Sequence, residues 1–179
     1  MSKKDAHIAF KLMTMEDIPV VQDLARHIWE EAYNDLLSKE QIHYMLTIMY
    51  SSRVISEELY GGTIWEIIFQ EGNPCGYVSY SISGDDAVKL SKIYIEKSSR
   101  GKGIADEAIR RVLRYAAEKG KARVFLTVNK SNARAIRAYE KNGFAVTDSV
   151  VKDIGNGFVM DDYVMSCFSG HERATNVTP

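Results

Sequence analysis

Two cysteines are all the chain carries, and Cys75 and Cys167 stand far apart. That count excludes a disulfide framework and a metal-knuckle spacing, and both thiols are expected to be buried small hydrophobes. No apolar run approaches the length of about 18 residues that marks a membrane-spanning helix. The opening Met1-Ser-Lys-Lys-Asp5 is not followed by the apolar segment of an export signal, so a cytoplasmic location is expected. An excess of charge of either sign is missing as well, since 23 Lys and Arg are interleaved with 24 Asp and Glu. Neither a nucleic-acid face nor a membrane partner is expected from such a balance. Repeats, linkers and low-complexity tracts are absent too. What remains is ordinary for a globular chain, with 45% hydrophobic and 26% charged residues. A chain of this length buries roughly 70% of its unfolded surface on folding. One domain over 1–169 is expected, with a polar, frayed tail over 170–179.

The periodicities give an element order. Residues 8–12 read as a strand, and Thr14 with Asp17 starts a helix whose apolar face is Ile18, Val21, Leu24, Ala25, Ile28, Trp29 and Ala32. Ser38 with Gln41 makes a better capping box for a second helix carrying Ile42, Met45, Leu46 and Met49. A short helix over 53–60 ends at Gly61-Gly62. Strands over 63–70 and 75–82 form a hairpin across Glu71-Gly-Asn-Pro74, and a third follows over 88–95. Next come a helix from Ile104 to about Gly120, a strand over 123–128, and a helix capped by Ser131 or Asn132 and ended by Gly143. Two last strands, 144–151 and 158–168, pair across Ile154-Gly-Asn-Gly157. The fold class is α/β (α+β), with strands and helices mixed along one domain.

The segment from Ile93 to Ala108 is the most informative. An apolar strand runs through Ser99-Arg100-Gly101-Lys102-Gly103 into an amphipathic helix beginning Ile104-Ala105. Gly101 and Gly103 permit left-handed backbone and close approach to a ligand. The first N–H groups of the helix lack intrahelical partners and, with its dipole, Arg100 and Lys102, suit a pyrophosphate. The loop lacks the Gly-x-x-x-x-Gly-Lys-Ser/Thr order of a phosphotransferase.

Downstream stands Asn132-Ala-Arg-Ala135-Ile-Arg-Ala-Tyr139-Glu-Lys-Asn-Gly143-Phe144. The two motifs together resemble the GNAT superfamily of acetyl-CoA-dependent N-acetyltransferases, most strongly over 90–146. The resemblance implies a mixed, mostly antiparallel central sheet with helices on both faces. It implies acetyl-CoA as co-substrate and no metal. Arg100, Gly101, Lys102, Gly103, Ile104 and Ala105 match the family's pyrophosphate loop. Ile93, Tyr94 and Ile95 match the strand that pairs with the pantetheine arm, and the backbone N–H of Tyr94 or Ile95 matches the donor to the acetyl oxygen. Such a donor is worth about 3 kcal/mol of barrier. Asn132 matches a pantetheine contact, or it caps its helix. Tyr139 matches the general acid toward the leaving sulfur, or it is a core aromatic. One departure is Ser98, where the family has Gln or Arg; weakened side-chain contact is expected there, with the backbone cradle kept.

The acceptor is read from carboxylates. An amine with a pKa near 10 costs about 4–5 kcal/mol to hold neutral at pH 7, so a base or a desolvated pocket is needed. Glu30, Glu31, Glu96, Asp161 and Asp162 are the candidates, with His27 and His43 read as surface or packing residues. Asp161 and Asp162 are adjacent on a strand, so at most one faces a given pocket. The stretches 30–35 and 153–163 are similar to bacterial spermine/spermidine acetyltransferases, which implies a small polyamine. A peptide or protein N-acetyltransferase, and a non-catalytic acyl-CoA sensor, stand as the alternatives. A homodimer formed through the apolar last strand, 158–168, is a further expectation.

Overall fold

A computed structural model describes residues 7–168, so the expected tail at 170–179 lies outside the described residues. Seven strands and five α-helices follow one another in the order that the periodicities give. They are β1 (Ile8–Leu12), α1 (Ile18–Tyr33), α2 (Lys39–Tyr50), α3 (Ser52–Tyr60), β2 (Ile64–Gln70), β3 (Asn73–Ser83) and β4 (Ala87–Ile95), then α4 (Ile104–Glu118), β5 (Arg123–Asn129), α5 (Ala133–Lys141), β6 (Ala145–Gly155) and β7 (Phe158–Phe168). Asp17, just before α1, accepts from the Thr14 N–H at 2.9 Å and so closes the first turn. At α2, Ser38 Oγ accepts from the Gln41 N–H at 3.1 Å, but among the described residues the return bond of the expected box is not made.

The strands form one sheet in the order β1-β2-β3-β4-β5-β7-β6. All neighbours are antiparallel except β4 and β5, which α4 joins in parallel. Neighbouring strand residues point to opposite faces, so Tyr77 packs with Ile28, Trp29 and Trp65 under α1–α3, while Val78 packs with Ile109, Val112 and Met165 under α4. Fully burying one such apolar side chain contributes about 1.5–3 kcal/mol. The Asn156-Gly157 turn takes the left-handed backbone its sequence calls for, at φ 55° and 77°.

Two details position the site. Ser79 pairs with Lys92 but Tyr80 with Leu90, so Ser91 is an extra residue in β4. A bulge of this kind bends a strand and sharpens its twist. Correspondingly, β4 and β5 pair only over Ala87–Lys89 with Arg123–Phe125 and separate beyond.

Two expectations are corrected. The last strand, β7, lies between β5 and β6 and has no free edge, because both of its sides are already hydrogen-bonded. It therefore cannot pair across subunits; among the described residues the edges of the sheet are β1 and β6. Cys75 is buried as expected, but Cys167 is only half-buried, because it sits near the end of β7.

Candidate functional site

The gap between β4 and β5 opens into two cavities. The first, about 350 Å³, lies between the end of β4, the start of α4 and the inner face of α5. Gly101 and Gly103 hold φ at 75° and 78°, and Gly103 is the N-cap of α4 with no side chain to satisfy the first turn. The first helical bond runs from the Glu107 N–H to the Gly103 carbonyl at 3.0 Å, which leaves the N–H groups of Ile104, Ala105 and Asp106 without intrahelical partners. A Cβ on either glycine would meet nothing within 4 Å, so the cradle is open on its ligand side.

Cationic groups surround that mouth. Arg100 donates from Nε to the Ile95 carbonyl at 2.8 Å, which folds it along the strand end. Burial, and then nearby Arg134, push its pKa down. Arg134 and Lys141 of α5 line the same cavity and were not read from the sequence. Their only sequence signal is position, two residues after Asn132 and two after Tyr139. Lys102, by contrast, donates to Gln70 Oε1 at 3.1 Å on the exposed side and is not among the lining residues. Lys141 also pairs with Asp106 at 2.6 Å, and Asn142 donates to the same carboxylate at 2.8 Å. Those two bonds hold the Asp106 carboxyl below its ordinary range and clip α4 to α5.

The second cavity, about 130 Å³, adjoins the first and is walled by α1, α2, β4, the end of β5 and the start of β7. Tyr33, Ile93, Tyr94, Asn132, Ala135 and Tyr139 line both cavities. Asn132 Oδ1 accepts from the Ala135 N–H at 3.1 Å, so the cap exists alongside its place in the lining. Tyr139 packs its ring on Phe144 at 5.9 Å, and burial, followed by Tyr33, raises its pKa. It stays protonated at neutral pH. The Tyr33 and Tyr94 hydroxyls lie 3.3 Å apart beside it.

The carboxylates sort themselves by strand parity and helix face. Asp162 is 3% exposed, lines the second cavity, and its Oδ1 has no hydrogen-bond partner among the described residues. Burial first, then Asp161, push its pKa up, against a lowering influence from Lys130. Asp161 points the other way, exposed and paired with Lys130. Glu30 and Glu31 are exposed on α1 and line neither cavity, and neither does Glu96. His27 and His43 are exposed on the outer faces of their helices. The other charged residue on the second cavity is Lys92, 5% exposed. Glu58 accepts from its ammonium at 2.8 and 3.1 Å, and the Trp65 ring lies 4.7 Å below it, so this charge is compensated. Of the two charged residues on that cavity, Asp162 is thus the one without a hydrogen-bonded partner among the described residues. Among the described residues, metal-ligating side chains do not gather in threes.

The family profile described as "Acetyltransferase (GNAT) family" matches residues 18–144, more than half of the chain. An uncharacterised N-acetyltransferase of Mycobacterium tuberculosis is 40% identical over 96 residues, covering 53% of this chain and 60% of its own length. The matched region thus spans about three-fifths of that curated relative. The spermidine N(1)-acetyltransferase of Thermoplasma acidophilum is 23% identical over 86% of this chain and 96% of its own. Among solved structures, the PaiA N-acetyltransferase of Thermoplasma acidophilum in complex with coenzyme A superposes with a TM-score of 0.79 at 21% identity, covering 91% of this chain and 99% of that one. The Rhodopseudomonas palustris structure described as a GCN5-related N-acetyltransferase gives 0.75 at 18% identity over 90% of this chain and 95% of that one. At these identities the likeness is one of fold.

Proposed function

The chain belongs to the acetyltransferase (GNAT) family, and on that premise we propose that it transfers acetyl from acetyl-CoA directly to a small primary amine, with a polyamine favoured. The observation that carries this reading is the pair of adjoining cavities that share six lining residues at the gap where β4 and β5 part. A donor seated on one side and an amine on the other would meet at that gap.

The residues of the first cavity fit the donor. The uncapped N–H groups at the start of α4, together with Arg100 and Arg134, present positive charge to a diphosphate, and the apolar wall of Ile93, Ala135 and Ala138 suits a pantetheine arm. Acetyl-CoA supplies an activated acetyl group as its thioester. The backbone of β4 beyond Lys89, which β5 leaves without a partner, offers N–H donors at Tyr94 or Ile95 to the acetyl oxygen. Tyr139, kept protonated by its burial, gives its proton to the departing sulfur.

Asp162 is assigned to the amine. Its carboxylate faces the second cavity without a partner, so it attracts an ammonium group, and its raised pKa makes it a better acceptor of the proton that the nitrogen must lose. As nitrogen bonds to the acetyl carbon, the carbon–sulfur bond breaks, and the two protons pass to and from Asp162 and Tyr139. Polyamine preference is supported by that single unpaired carboxylate and by the spermidine acetyltransferase relative. Thiol release from acetyl-CoA across spermidine, spermine, putrescine, amino acids and short peptides tests the assignment. Turnover confined to polyamines is expected; turnover on peptides alone would refute the substrate class, and absence of donor binding would refute the whole reading.

A further inference from the structure

Asp162 holds one end of the second cavity, and the other end has a polar group of its own. Gln41 is half-buried on α2 and lines that cavity. Three residues after a serine cap, a glutamine ordinarily reaches back to the backbone N–H of the cap. Here it does not. Only the backbone N–H of Gln41 meets Ser38, and among the described residues its side-chain amide makes no hydrogen bond. The amides of Asn129 and Asn132 on the same wall differ, since each accepts from a backbone N–H close in sequence, at 2.9 and 3.1 Å.

Register sets where the two polar ends lie. Gln41 and Tyr44 stand three apart on α2 and so neighbour each other on its surface. Tyr44 donates to the Ile154 carbonyl at 2.7 Å and packs on Phe158 with ring centroids 5.5 Å apart. Phe158, Met160 and Asp162 alternate onto one face of β7, so Asp162 lies about 13 Å further along the strand than Phe158. Gln41 is therefore at the hairpin end of the cavity and Asp162 at the inner end, opposite Asn129. Between them the wall carries Met45, Met49 and Met160, flexible apolar side chains that adapt to a methylene chain. Among the described residues Asp162 is the only carboxylate on that wall, and Glu58 already holds the Lys92 ammonium. A second nitrogen of the amine thus finds no second anion in the cavity, and the unengaged side-chain acceptor at the hairpin end is Gln41 Oε1.

We propose that Gln41 is a specificity-determining residue of the acceptor site: its Oε1 accepts a hydrogen bond from a second N–H of the amine, one methylene run beyond the nitrogen held by Asp162. The site selects diamines and polyamines over monoamines through that bond and not through a second charge. This rests on the second cavity being the amine site.

Thiol release at saturating acetyl-CoA, measured with spermidine and with butylamine in the wild type, Gln41→Leu and Gln41→Glu, tests it. The quantity compared is the ratio of kcat/KM for the two amines. Gln41→Leu is expected to lower the preference for spermidine about 10-fold, mostly through KM, as for one lost hydrogen bond to a charged group. Gln41→Glu is expected to raise it, because a carboxylate holds the second ammonium more firmly. A part in packing alone would change both amines alike and leave the ratio where it was. A ratio unchanged in Gln41→Leu, or one that falls in both variants, overturns the inference while leaving acetyl transfer to amines in place. A wild type that acetylates neither amine overturns the reading of the cavity itself, and this inference with it.

Discussion

Replacing Asp162 by Asn is expected to make the protein more stable and nearly inactive. Asp162 is 3% exposed and its Oδ1 is unsatisfied, so at neutral pH the fold carries a buried, incompletely solvated carboxylate. A buried polar atom without a partner costs about 1–3 kcal/mol. Asn keeps the shape and removes the charge, though its amide brings donors of its own, so a gain of about 1 kcal/mol is the expectation. For a domain of this size that raises Tm by roughly 2–4 °C. The pH dependence follows from the direction of the shift. Because the folded-state pKa is raised, the fold favours the protonated acid, and the associated stability is complete below the ordinary carboxylate pKa and lost as pH rises through the raised value. The advantage of Asn is therefore full at pH 7–8 and shrinks toward pH 4. Loss of a general base lowers turnover by about 10²–10⁴-fold. Thermal melts of both proteins from pH 4 to 8, read beside thiol-release rates, decide the matter. An Asn variant that melts lower than the wild type at pH 7–8, or that keeps full turnover, would show that Asp162 is a satisfied structural group.

Tyr139→Phe is expected to lower turnover at saturating donor by about 10²-fold, as for loss of a general acid, while calorimetric titration finds donor affinity unchanged; an equal loss of affinity would assign the ring to packing. Gly103→Glu is expected to abolish donor binding in the same titration, because it places a carboxylate and a strained left-handed residue at the mouth of the cradle, where φ is 78°. Tyr44→Phe removes the 2.7 Å hydrogen bond to the Ile154 carbonyl that ties α2 to the β6–β7 hairpin. It should cost about 1 kcal/mol in chemical denaturation and raise KM for the amine more than it changes kcat.

Much of the framework could be read from the chain because its signals are local. The 3.6 period of Ile18 to Trp29, the Asn156-Gly157 turn and the Gly101/Gly103 loop each specify backbone within a few residues, and each is found where the sequence puts it. Strand parity likewise required that Asp161 and Asp162 face opposite ways, but it could not say which one faces inward. That choice depends on β7 inserting between β5 and β6, which sets Asp162 opposite Asn129 and turns it toward the second cavity. Strand order is decided by contacts between distant segments, and no local pattern encodes it. The extra residue at Ser91 is hidden for the same reason, since it is defined by the pairing of β4 with β3, where Ser79 meets Lys92 but Tyr80 meets Leu90. Lys92 reads as a solvent residue and lies buried because Glu58 and Trp65, far from it in sequence, enclose its ammonium.

The six residues common to the two cavities divide the molecule's freedom to change. Tyr33, Ile93, Tyr94, Asn132, Ala135 and Tyr139 line both cavities, so a substitution among them that changes the shape of the wall reshapes both at once, whereas Tyr139→Phe keeps the ring and removes only the hydroxyl. The rest of the second cavity belongs to α1, α2, the end of β5 and the start of β7, with Gln41, Met45, Val159 and Met160 among its walls and none of them touching the first cavity. On the proposed assignment of donor and amine, acceptor choice can drift through those side chains, one lineage admitting a longer amine and another a bulkier one, while the donor grip is inherited intact.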